Sequence, residues 1–140
     1  MATILITGAT GFLGKYVVDE FLRHGYQVVA HGRNATRLAQ LHDQGIQTLK
    51  GDLQELSHVT MRVDAVVHAA ALSTIWGPWQ RFYRNNVDGT RHVVQFCQAN
   101  SIPRLVFISS PSIYTMPKDR LDIREDDVDE RNTLTNYIRS

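Results

Sequence analysis

The chain has 140 residues, of which 43% are hydrophobic and 21% charged, and its formal net charge at pH 7 is +1. These values are typical of one ordinary globular domain with a sizeable core. They give no electrostatic reason to expect a nucleic-acid partner or an anionic membrane, and no apolar run approaches the roughly 20 residues of a membrane span.

The cysteine and histidine content narrows the chemistry further. The single cysteine, Cys97, cannot form an internal disulfide, and it lies in an apolar helical pattern that favours a buried, inert thiol. The six histidines are scattered along the chain, so we expect no metal site. Because the N-terminus has no basic stretch followed by an apolar run, we expect no signal peptide and a cytoplasmic protein.

Strand-like and helix-like patterns alternate along the sequence, which predicts a parallel sheet with helices on both faces. The predicted elements are, in chain order, a strand at Thr3–Thr7, a helix from Phe12 to His24, a strand at Gln27–Gly32, a helix from its cap at Asn34 to Asp43, a strand at Ile46–Leu49, a short helix after Gly51-Asp52-Leu53, a strand at Val63–His68, a helix from Gln80 to Asn100 and a strand at Arg104–Ser109. The predicted fold class is therefore α/β, a doubly wound parallel sheet in three α/β/α layers.

The segments between and after these elements carry weaker patterns. Leu72–Trp79 is predicted to be a loop. Lys118–Arg131 is dense in charge and has few apolar residues, which is typical of an exposed loop or irregular arm. Thr133–Ser140 has the pattern of the first turns of a helix.

The most specific motif is a glycine-rich turn between the first strand and the first helix. Gly8 would allow the tight turn, Gly11 a close approach of the backbone to a pyrophosphate, and Gly14 close packing of the helix on the sheet. The free N–H groups at the helix start would then hold the phosphates. The predicted cofactor-binding residues of this turn are Gly8, Thr10, Gly11, Phe12, Leu13 and Gly14. A glycine-rich turn without a ligand is the alternative.

The end of the second strand indicates which dinucleotide is bound. An acidic residue there would bond both ribose hydroxyls and repel a 2′-phosphate, but this chain has His31-Gly32-Arg33 and no acid. Arg33 could pair with a 2′-phosphate, so NADP is favoured over NAD. In the alternative, Arg33 only stacks over the adenine or faces solvent.

Two further segments are placed to meet the cofactor. Asp52 is positioned to reach the adenine amino group, with Leu53 beside it, although Asp52 could equally be a helix N-cap, and both could be true. The small residues Ala69, Ala70 and Ala71 would let a cofactor lie across the carboxyl edge of the sheet. We expect His68, which continues a buried strand, to be structural rather than catalytic.

The last predicted strand ends in Ser109-Ser110, followed by Pro111-Ser112-Ile113-Tyr114. A serine at the carboxyl end of a central strand points into the ligand cleft. Either serine could instead simply satisfy the polar groups of the strand end.

Together these residues resemble the extended short-chain dehydrogenase/reductase family, and within it the NAD(P)-dependent epimerase/dehydratase and 3β-hydroxysteroid dehydrogenase-like members. The marks of the resemblance are Thr7-Gly8-Ala9-Thr10-Gly11-Phe12-Leu13-Gly14, Gly51-Asp52-Leu53, His68-Ala69-Ala70-Ala71, Asn86-Val87-Asp88-Gly89-Thr90, Phe107-Ile108-Ser109-Ser110 and Tyr137. The resemblance implies a Rossmann-like fold, a small-molecule substrate and hydride transfer between a nicotinamide and a carbon that bears a hydroxyl or carbonyl.

The resemblance also implies residue roles. Ser110 would be the catalytic serine, Tyr137 the catalytic acid/base of a Y-x-x-x-K motif, and Asn86 would fix the long helix against the active-site strands. Trp76 and Trp79 would flank the nicotinamide and substrate, or else be core residues. The lysine of that motif would follow Ser140 directly. We therefore expect residues 1–140 to be the NAD(P)-binding Rossmann domain of a longer enzyme, without the later strands and the substrate domain, and with little turnover alone.

Two alternatives from other classes stay open. The chain could belong to a non-catalytic NAD(P)-binding module that senses redox state or binds a partner protein. It could also be an interaction domain whose exposed helices assemble homo-oligomers.

Overall fold

In the computed structural model, which describes residues 1–140, five parallel strands form a single sheet. The strands are β1 (Thr3–Thr7), β2 (Gln27–Gly32), β3 (Gln47–Lys50), β4 (Ala65–His68) and β5 (Leu105–Phe107). Their spatial order is β3-β2-β1-β4-β5. The chain therefore builds outward from β1 in one direction and then crosses to the other side of β1, and such a switch in direction leaves a crevice at the carboxyl edge of the sheet.

Helices cover both faces of this sheet. They are α1 (Phe12–Arg23), α2 (Ala35–Asp43), α3 (Leu53–Leu56), α4 (Trp79–Phe82), a π-helical segment (Tyr83–Asp88), α5 (Gly89–Ala99) and α6 (Asn136–Arg139). Short 3₁₀ turns occur at Pro111–Tyr114 and Glu125–Asp127. None of the helices combines the length and the apolar character that crossing a membrane requires.

Two separate hydrophobic clusters show that the architecture has three layers. Because side chains alternate along a strand, Ile4 and Ile6 face one side of β1 while Leu5 faces the other. The first pair packs against Val18 of α1 and the α2 side of the sheet, and Leu5 packs with Phe96 of α5. The predicted doubly wound α/β/α fold is confirmed.

Cys97 belongs to the second cluster and is 7% exposed. Burial raises the pKa of its thiol, which keeps the sulfur protonated near neutral pH. The predicted burial of the thiol is confirmed, and its inertness stays a prediction.

Several predicted boundaries were wrong by a few residues. The third strand is β3 at Gln47–Lys50 rather than Ile46–Leu49, and the fifth is β5 at Leu105–Phe107 rather than Arg104–Ser109. The fourth strand begins at Ala65, not Val63. Asp64, the residue before this strand, uses its carboxylate to accept a hydrogen bond from the backbone N–H of Thr3 at 2.7 Å.

The long helix predicted from Gln80 to Asn100 runs instead from Trp79 to Ala99 and is not α-helical throughout. Its middle, Tyr83–Asp88, is π-helical. A π-helical turn inserts an extra residue and rotates the remainder of the helix, which is why such turns occur often at functional sites. Here the insertion lies at Asn86 and just before Gly89, which packs so closely on Leu53 that a Cβ there would lie 2.8 Å from Leu53 Cδ1.

The C-terminal part is mostly irregular, as predicted for Lys118–Arg131. Only Asn136–Arg139 of the predicted helical segment Thr133–Ser140 is helical. Thr135 caps this short helix by accepting a hydrogen bond from the N–H of Ile138 at 3.1 Å. Asn136 donates to the carbonyl of Gly77 at 2.9 Å, so α6 is tied to the loop that precedes α4.

Candidate functional site

A cavity of about 580 Å³ opens at the carboxyl edge of the sheet, within the range of small-molecule sites. Its lining residues come from the ends of four strands and from the helices that follow them: Gly8, Thr10, Gly11, His31, Gly32, Arg33, Asn34, Gly51, Asp52, Leu53, Gln54, Ala69, Ala70, Ala71, Arg84, Asn85, Gly89 and His92. Nine of these are among the predicted cofactor-binding residues. Phe12, Leu13 and Gly14 do not line the cavity, and neither do Ser110 and Tyr137.

The glycine-rich turn has no room for a side chain at two of its positions, Gly8 and Gly14. Gly8 has a φ of +70°, and a Cβ there would lie 2.7 Å from the backbone of Ala70. A Cβ on Gly14 would overlap the carbonyl oxygen of Gly8. Gly11 donates its N–H to the same carbonyl at 2.9 Å and closes the turn. The start of α1 is thereby packed directly against the end of β1, with its N-terminal N–H groups at the cavity wall.

The remaining residues of the turn face outward. Phe12 is 83% exposed and Leu13 is 44% exposed. Phe12 packs edge-on against Tyr16, with ring centroids 5.5 Å apart. The predicted contact of Phe12 and Leu13 with a cofactor therefore stays a prediction.

A buried hydrogen-bond network lies directly behind the turn. The hydroxyl of Thr90 donates to the carbonyl of Asn86 at 2.6 Å, so it accepts from Nε2–H of His68 at 3.1 Å. Nδ1 of His68 then accepts from the hydroxyl of Thr7 at 2.7 Å. Thr7 in turn accepts from the N–H of Ala70 at 3.3 Å. Every proton in this network has a partner, and the network joins β1 and β4 to the π-helical segment.

The network fixes the charge of His68, which is only 1% exposed. Burial, with a smaller effect of His31, lowers the pKa of His68 from 6.5 to about 4. A neutral ring matches the single tautomer that the network demands. The predicted structural role of His68 is confirmed.

The arginine side of the cavity lies at the end of β2. Arg33 is exposed and lines the cavity. Arg37, on the first turn of α2, donates to the carbonyl of Thr10. Two cations therefore lie beside the glycine-rich turn where the sequence predicted one.

Asp52 begins α3 with a capping box. Its carboxylate accepts from the N–H of Glu55 at 2.8 Å, and the Glu55 carboxylate accepts from the N–H of Asp52 at 2.9 Å. The predicted N-cap role is confirmed. Asp52 also lines the cavity, and its contact with an adenine stays a prediction.

Four cavity residues come from the long helix and were not predicted. Arg84 and Asn85 lie in the π-helical segment, and Gly89 and His92 lie on the first turn of α5. The sequence did predict a long helix here. Which residues of that helix face the cavity depends on the π-helical turn, and no residue pattern in the sequence predicts such a turn.

Ser110 and Tyr137 lie on separate segments after the sheet. Ser110 caps the 3₁₀ turn that follows β5, where its hydroxyl accepts from the N–H of Ser112 at 3.2 Å and donates to the Ser112 hydroxyl at 3.0 Å. The alternative in which this serine satisfies the strand end is consistent with these bonds. Tyr137 lies half-buried on α6. The catalytic roles of both stay predictions.

Asn86 holds the loop after β4. Its side chain accepts from the N–H of Leu72 at 2.7 Å and donates to the Leu72 carbonyl at 3.1 Å. It also donates to the hydroxyl of Ser140 at 2.7 Å, and that hydroxyl donates to the carbonyl of Tyr137 at 2.9 Å. Asn86 thus connects the long helix to a loop and to α6, whereas the resemblance implied contact with the strands themselves.

The two tryptophans differ. Trp76 is 86% exposed, so it is not a core residue. Trp79 is half-buried and stacks under the guanidinium of Arg139, whose Cζ lies 4.0 Å from the ring centroid.

The structure has no group of three histidine, cysteine, aspartate or glutamate side chains placed to hold a metal ion.

Comparison with known proteins places this site in a family. The profile of the NAD-dependent epimerase/dehydratase family matches residues 4–140. The 2-alkyl-3-oxoalkanoate reductase of Stenotrophomonas maltophilia is 37% identical over 113 residues, which cover 79% of this chain and 34% of that protein. UDP-glucose 4-epimerase 2 of Oryza sativa is 31% identical over 135 residues, which cover 84% of this chain and 33% of that protein.

A solved structure agrees. A short-chain dehydrogenase/reductase superfamily protein of Agrobacterium tumefaciens with bound NAD is 30% identical to this chain, with a TM-score of 0.76. The superposition covers 97% of this chain and 40% of the Agrobacterium chain. The chain spans about a third of the length of the reductase and the epimerase that it matches. Because the family profile matches nearly all of its residues, the chain belongs to the NAD-dependent epimerase/dehydratase family.

Proposed function

We propose that residues 1–140 form the NAD(P)-binding domain of an enzyme that moves hydride between a nicotinamide cofactor and a hydroxyl or keto substrate. The observation that carries this proposal is the cavity at the carboxyl edge of the sheet, walled by the glycine-rich turn at Gly8 and by small residues at Ala69–Ala71. Parallel α/β sheets bind nucleotides at this edge, where the strand order reverses.

The residues present fit a dinucleotide. Gly8 and Gly14 leave a cradle that a Cβ would fill, so a pyrophosphate can approach the backbone closely. The phosphates would lie at the part of the cavity wall formed by Gly8, Thr10 and Gly11, and no carboxylate belongs to this part of the wall. The bound nicotinamide would supply the hydride donor or acceptor. The chain's own contribution is to hold the phosphates on the N–H groups of α1 and to orient the two halves of the ligand across β1.

We propose NADP rather than NAD as the preferred cofactor. Support comes from Arg33, which is exposed beside the cavity, and from Arg37 close by. Gly32 contributes as well, since a Cβ at this position would lie 2.6 Å from Oγ1 of Thr10 and leave no room for an acidic side chain. The similar Agrobacterium protein holds NAD, so this preference rests only on residues of this chain, Arg33, Arg37 and Gly32.

We propose Ser110 and Tyr137 as the catalytic pair of the whole enzyme. Tyr137 would exchange a proton with the substrate oxygen, and Ser110 would hold that oxygen in place. The substrate is proposed only as a hydroxyl or keto compound, because the similar proteins are named for different substrates, a 2-alkyl-3-oxoalkanoate and UDP-glucose. We also propose a cytoplasmic location, because the N-terminus lacks the basic and apolar pattern of a signal peptide.

Titration calorimetry with NADPH and NADH tests the proposal. We expect NADPH to bind more tightly than NADH, and Arg33→Ala to weaken NADPH binding by about tenfold or more while leaving NADH binding unchanged. Arg104→Ala is the matched control, because Arg104 is exposed and precedes the amino end of β5. If wild-type chain binds neither cofactor, the proposed function is wrong; if both bind equally and Arg33→Ala changes neither, only the NADP preference is wrong.

A further inference from the structure

The short helix α6 is docked on the start of the long helix through one of its faces. Asn136 and Arg139 are three positions apart, so their side chains lie on the same face of α6. Asn136 donates to the carbonyl of Gly77 at 2.9 Å. The guanidinium of Arg139 stacks on the ring of Trp79, with its Cζ 4.0 Å from the ring centroid. Gly77 and Trp79 are two positions apart, so a single small area of the molecule receives this docked face of α6.

The stack on Trp79 is the side-chain contact that holds Arg139. Arg139 forms no salt bridge with any carboxylate of the chain. A guanidinium is attracted to the face of a tryptophan ring more strongly than to the face of the other aromatic side chains. The ring of Trp79 is itself held, because it packs edge-on against Tyr83 with ring centroids 5.6 Å apart. The stack therefore ties α6 to a ring with a fixed orientation.

Helix α6 depends on such contacts for its orientation. It has only four residues, Asn136–Arg139, and helices this short are not stable in water on their own. Tyr137 follows Asn136 by one position, which is about 100° around an α-helix, so its side chain leaves α6 to one side of the docked face. Any rotation of α6 about its own axis therefore changes the direction of the Tyr137 phenol.

Two hydrogen bonds fix two points of α6 but not its rotation. One is the bond from Asn136 to the carbonyl of Gly77, and the other runs from the Asn86 side chain to the hydroxyl of Ser140 at 2.7 Å. A body held at two points can still turn about the line that joins them. The stack of Arg139 supplies the third contact, which prevents this rotation.

We propose that Arg139 is a positioning residue that sets the direction of the Tyr137 phenol by stacking on Trp79. Tyr137 is the proposed proton-transfer residue, so this inference rests on the proposed function and adds a residue outside the cofactor cavity. Arg139 does not act on the reacting atoms itself, because it lies two positions from Tyr137, about 200° around the helix. Its effect passes through the orientation of α6.

The first readout is the fluorescence of Trp79. Trp76 is the other of the two tryptophans and is 86% exposed, so a Trp76→Phe background leaves Trp79 as the only indole. In this background Arg139→Ala should shift the emission maximum to longer wavelength, because one face of the half-buried ring gains contact with water. Arg139→Lys keeps a cation over the ring and should restore part of the shift. Arg131→Ala is the matched control, because the exposed guanidinium of Arg131 bonds only Asp129.

The second readout is the ring of Tyr137 itself. In chain with ¹³C-labelled tyrosine rings, comparison with Tyr137→Phe assigns the Tyr137 resonances among those of the five tyrosines. We expect Arg139→Ala to shift the Tyr137 ring resonances and Arg139→Lys to return them toward their wild-type positions. The resonances of Tyr26, which packs on Phe21, should not move and so report that the fold is intact.

Two results would overturn the inference. Unchanged Trp79 emission in Arg139→Ala would show that the stack does not form in solution. A shift of the Trp79 emission with unchanged Tyr137 resonances would show a surface contact that does not orient the phenol. Neither result bears on cofactor binding, which calorimetry with NADPH and NADH decides on wild-type chain. A failure of the proposed function is therefore distinct from a failure confined to Arg139.

Discussion

The Asn86 side chain and the backbone of Leu72 hold each other by two hydrogen bonds, one in each direction, of 2.7 and 3.1 Å. The pair pins the loop after β4 against the π-helical segment. Because Leu72 directly follows the alanines at the cavity wall, the position of that wall depends on a side chain from a different element.

Asn86→Ala should free the Leu72 amide. Its N–H has the Asn86 side chain as partner, so we expect the hydrogen-exchange rate of the Leu72 amide to rise by about tenfold or more. Amide exchange followed by NMR measures this directly. Asn85→Ala is the control, because the Asn85 side chain bonds only the carbonyl of Arg81 within its own helix. Equal exchange at Leu72 in the two variants would show that the pair does not hold the loop.

His68 should make the fold sensitive to acid. Its pKa is lowered from 6.5 to about 4 in the folded state, so between these values the unfolded chain binds more protons than the folded one. The stability that His68 contributes is therefore fully present above pH 6.5 and is lost as the pH falls toward 4, on the order of 3 kcal/mol in all.

Urea unfolding at several pH values between 7.5 and 4, with wild-type chain and His68→Gln, measures this effect. The difference in unfolding free energy between the two proteins should shrink as the pH falls, because only the wild-type protein loses the contribution of His68. The carboxylates titrate in both proteins, so their effect cancels in the difference. A difference that stays constant across this range would contradict a buried neutral His68.

Gly14→Ala should lower the stability of the fold, whereas Gly11→Ala should weaken cofactor binding. A Cβ on Gly14 would overlap the carbonyl oxygen of Gly8, so we expect Gly14→Ala to cost more than about 2 kcal/mol of stability. A Cβ on Gly11 would lie 3.2 Å from that oxygen and the rest of its surroundings are open. Gly11→Ala should therefore fold nearly normally, and its defect should appear as weaker NADPH binding in calorimetry. The reverse order of stabilities would refute this account of the turn.

Asp52→Ala should remove the cap of α3. The loss of the bond to the Glu55 N–H is expected to cost about 1 kcal/mol in urea unfolding. Asp52→Asn keeps a capping oxygen and should cost much less, so it serves as the matched control. Equal losses in both variants would mean that the charge of Asp52, and not its cap, stabilises this end of the cavity.

The strands and the glycine-rich turn could be predicted because their signals are local. An apolar run such as Ile4-Leu5-Ile6 and a glycine that must adopt a φ of +70° at Gly8 are each visible in a few neighbouring residues. The capping role of Asp52 was likewise predictable from its position before a short helix.

The π-helical segment and the unpartnered His31 could not be predicted in the same way. The π-helical segment Tyr83–Asp88 is accompanied by contacts of Asn86 with Leu72 and of Gly89 with Leu53, which span 14 and 36 positions of the chain. His31 lies in an ordinary buried strand pattern, yet neither of its ring nitrogens has a hydrogen-bond partner, and this depends on the packing around β2 rather than on the local sequence. Both features are consequences of tertiary packing that local propensity does not record.

The pairing of β1 with β4 has a consequence for how the chain folds. Thr7 and His68 are 61 positions apart, and no hairpin can join two parallel strands. The entropy of closing that long loop must be overcome before the buried bonds between them form, whereas β1 and β2 meet after a shorter connection through α1. We therefore expect the centre of the sheet to be completed late and the part of the molecule made of β1, α1 and β2 to become ordered first.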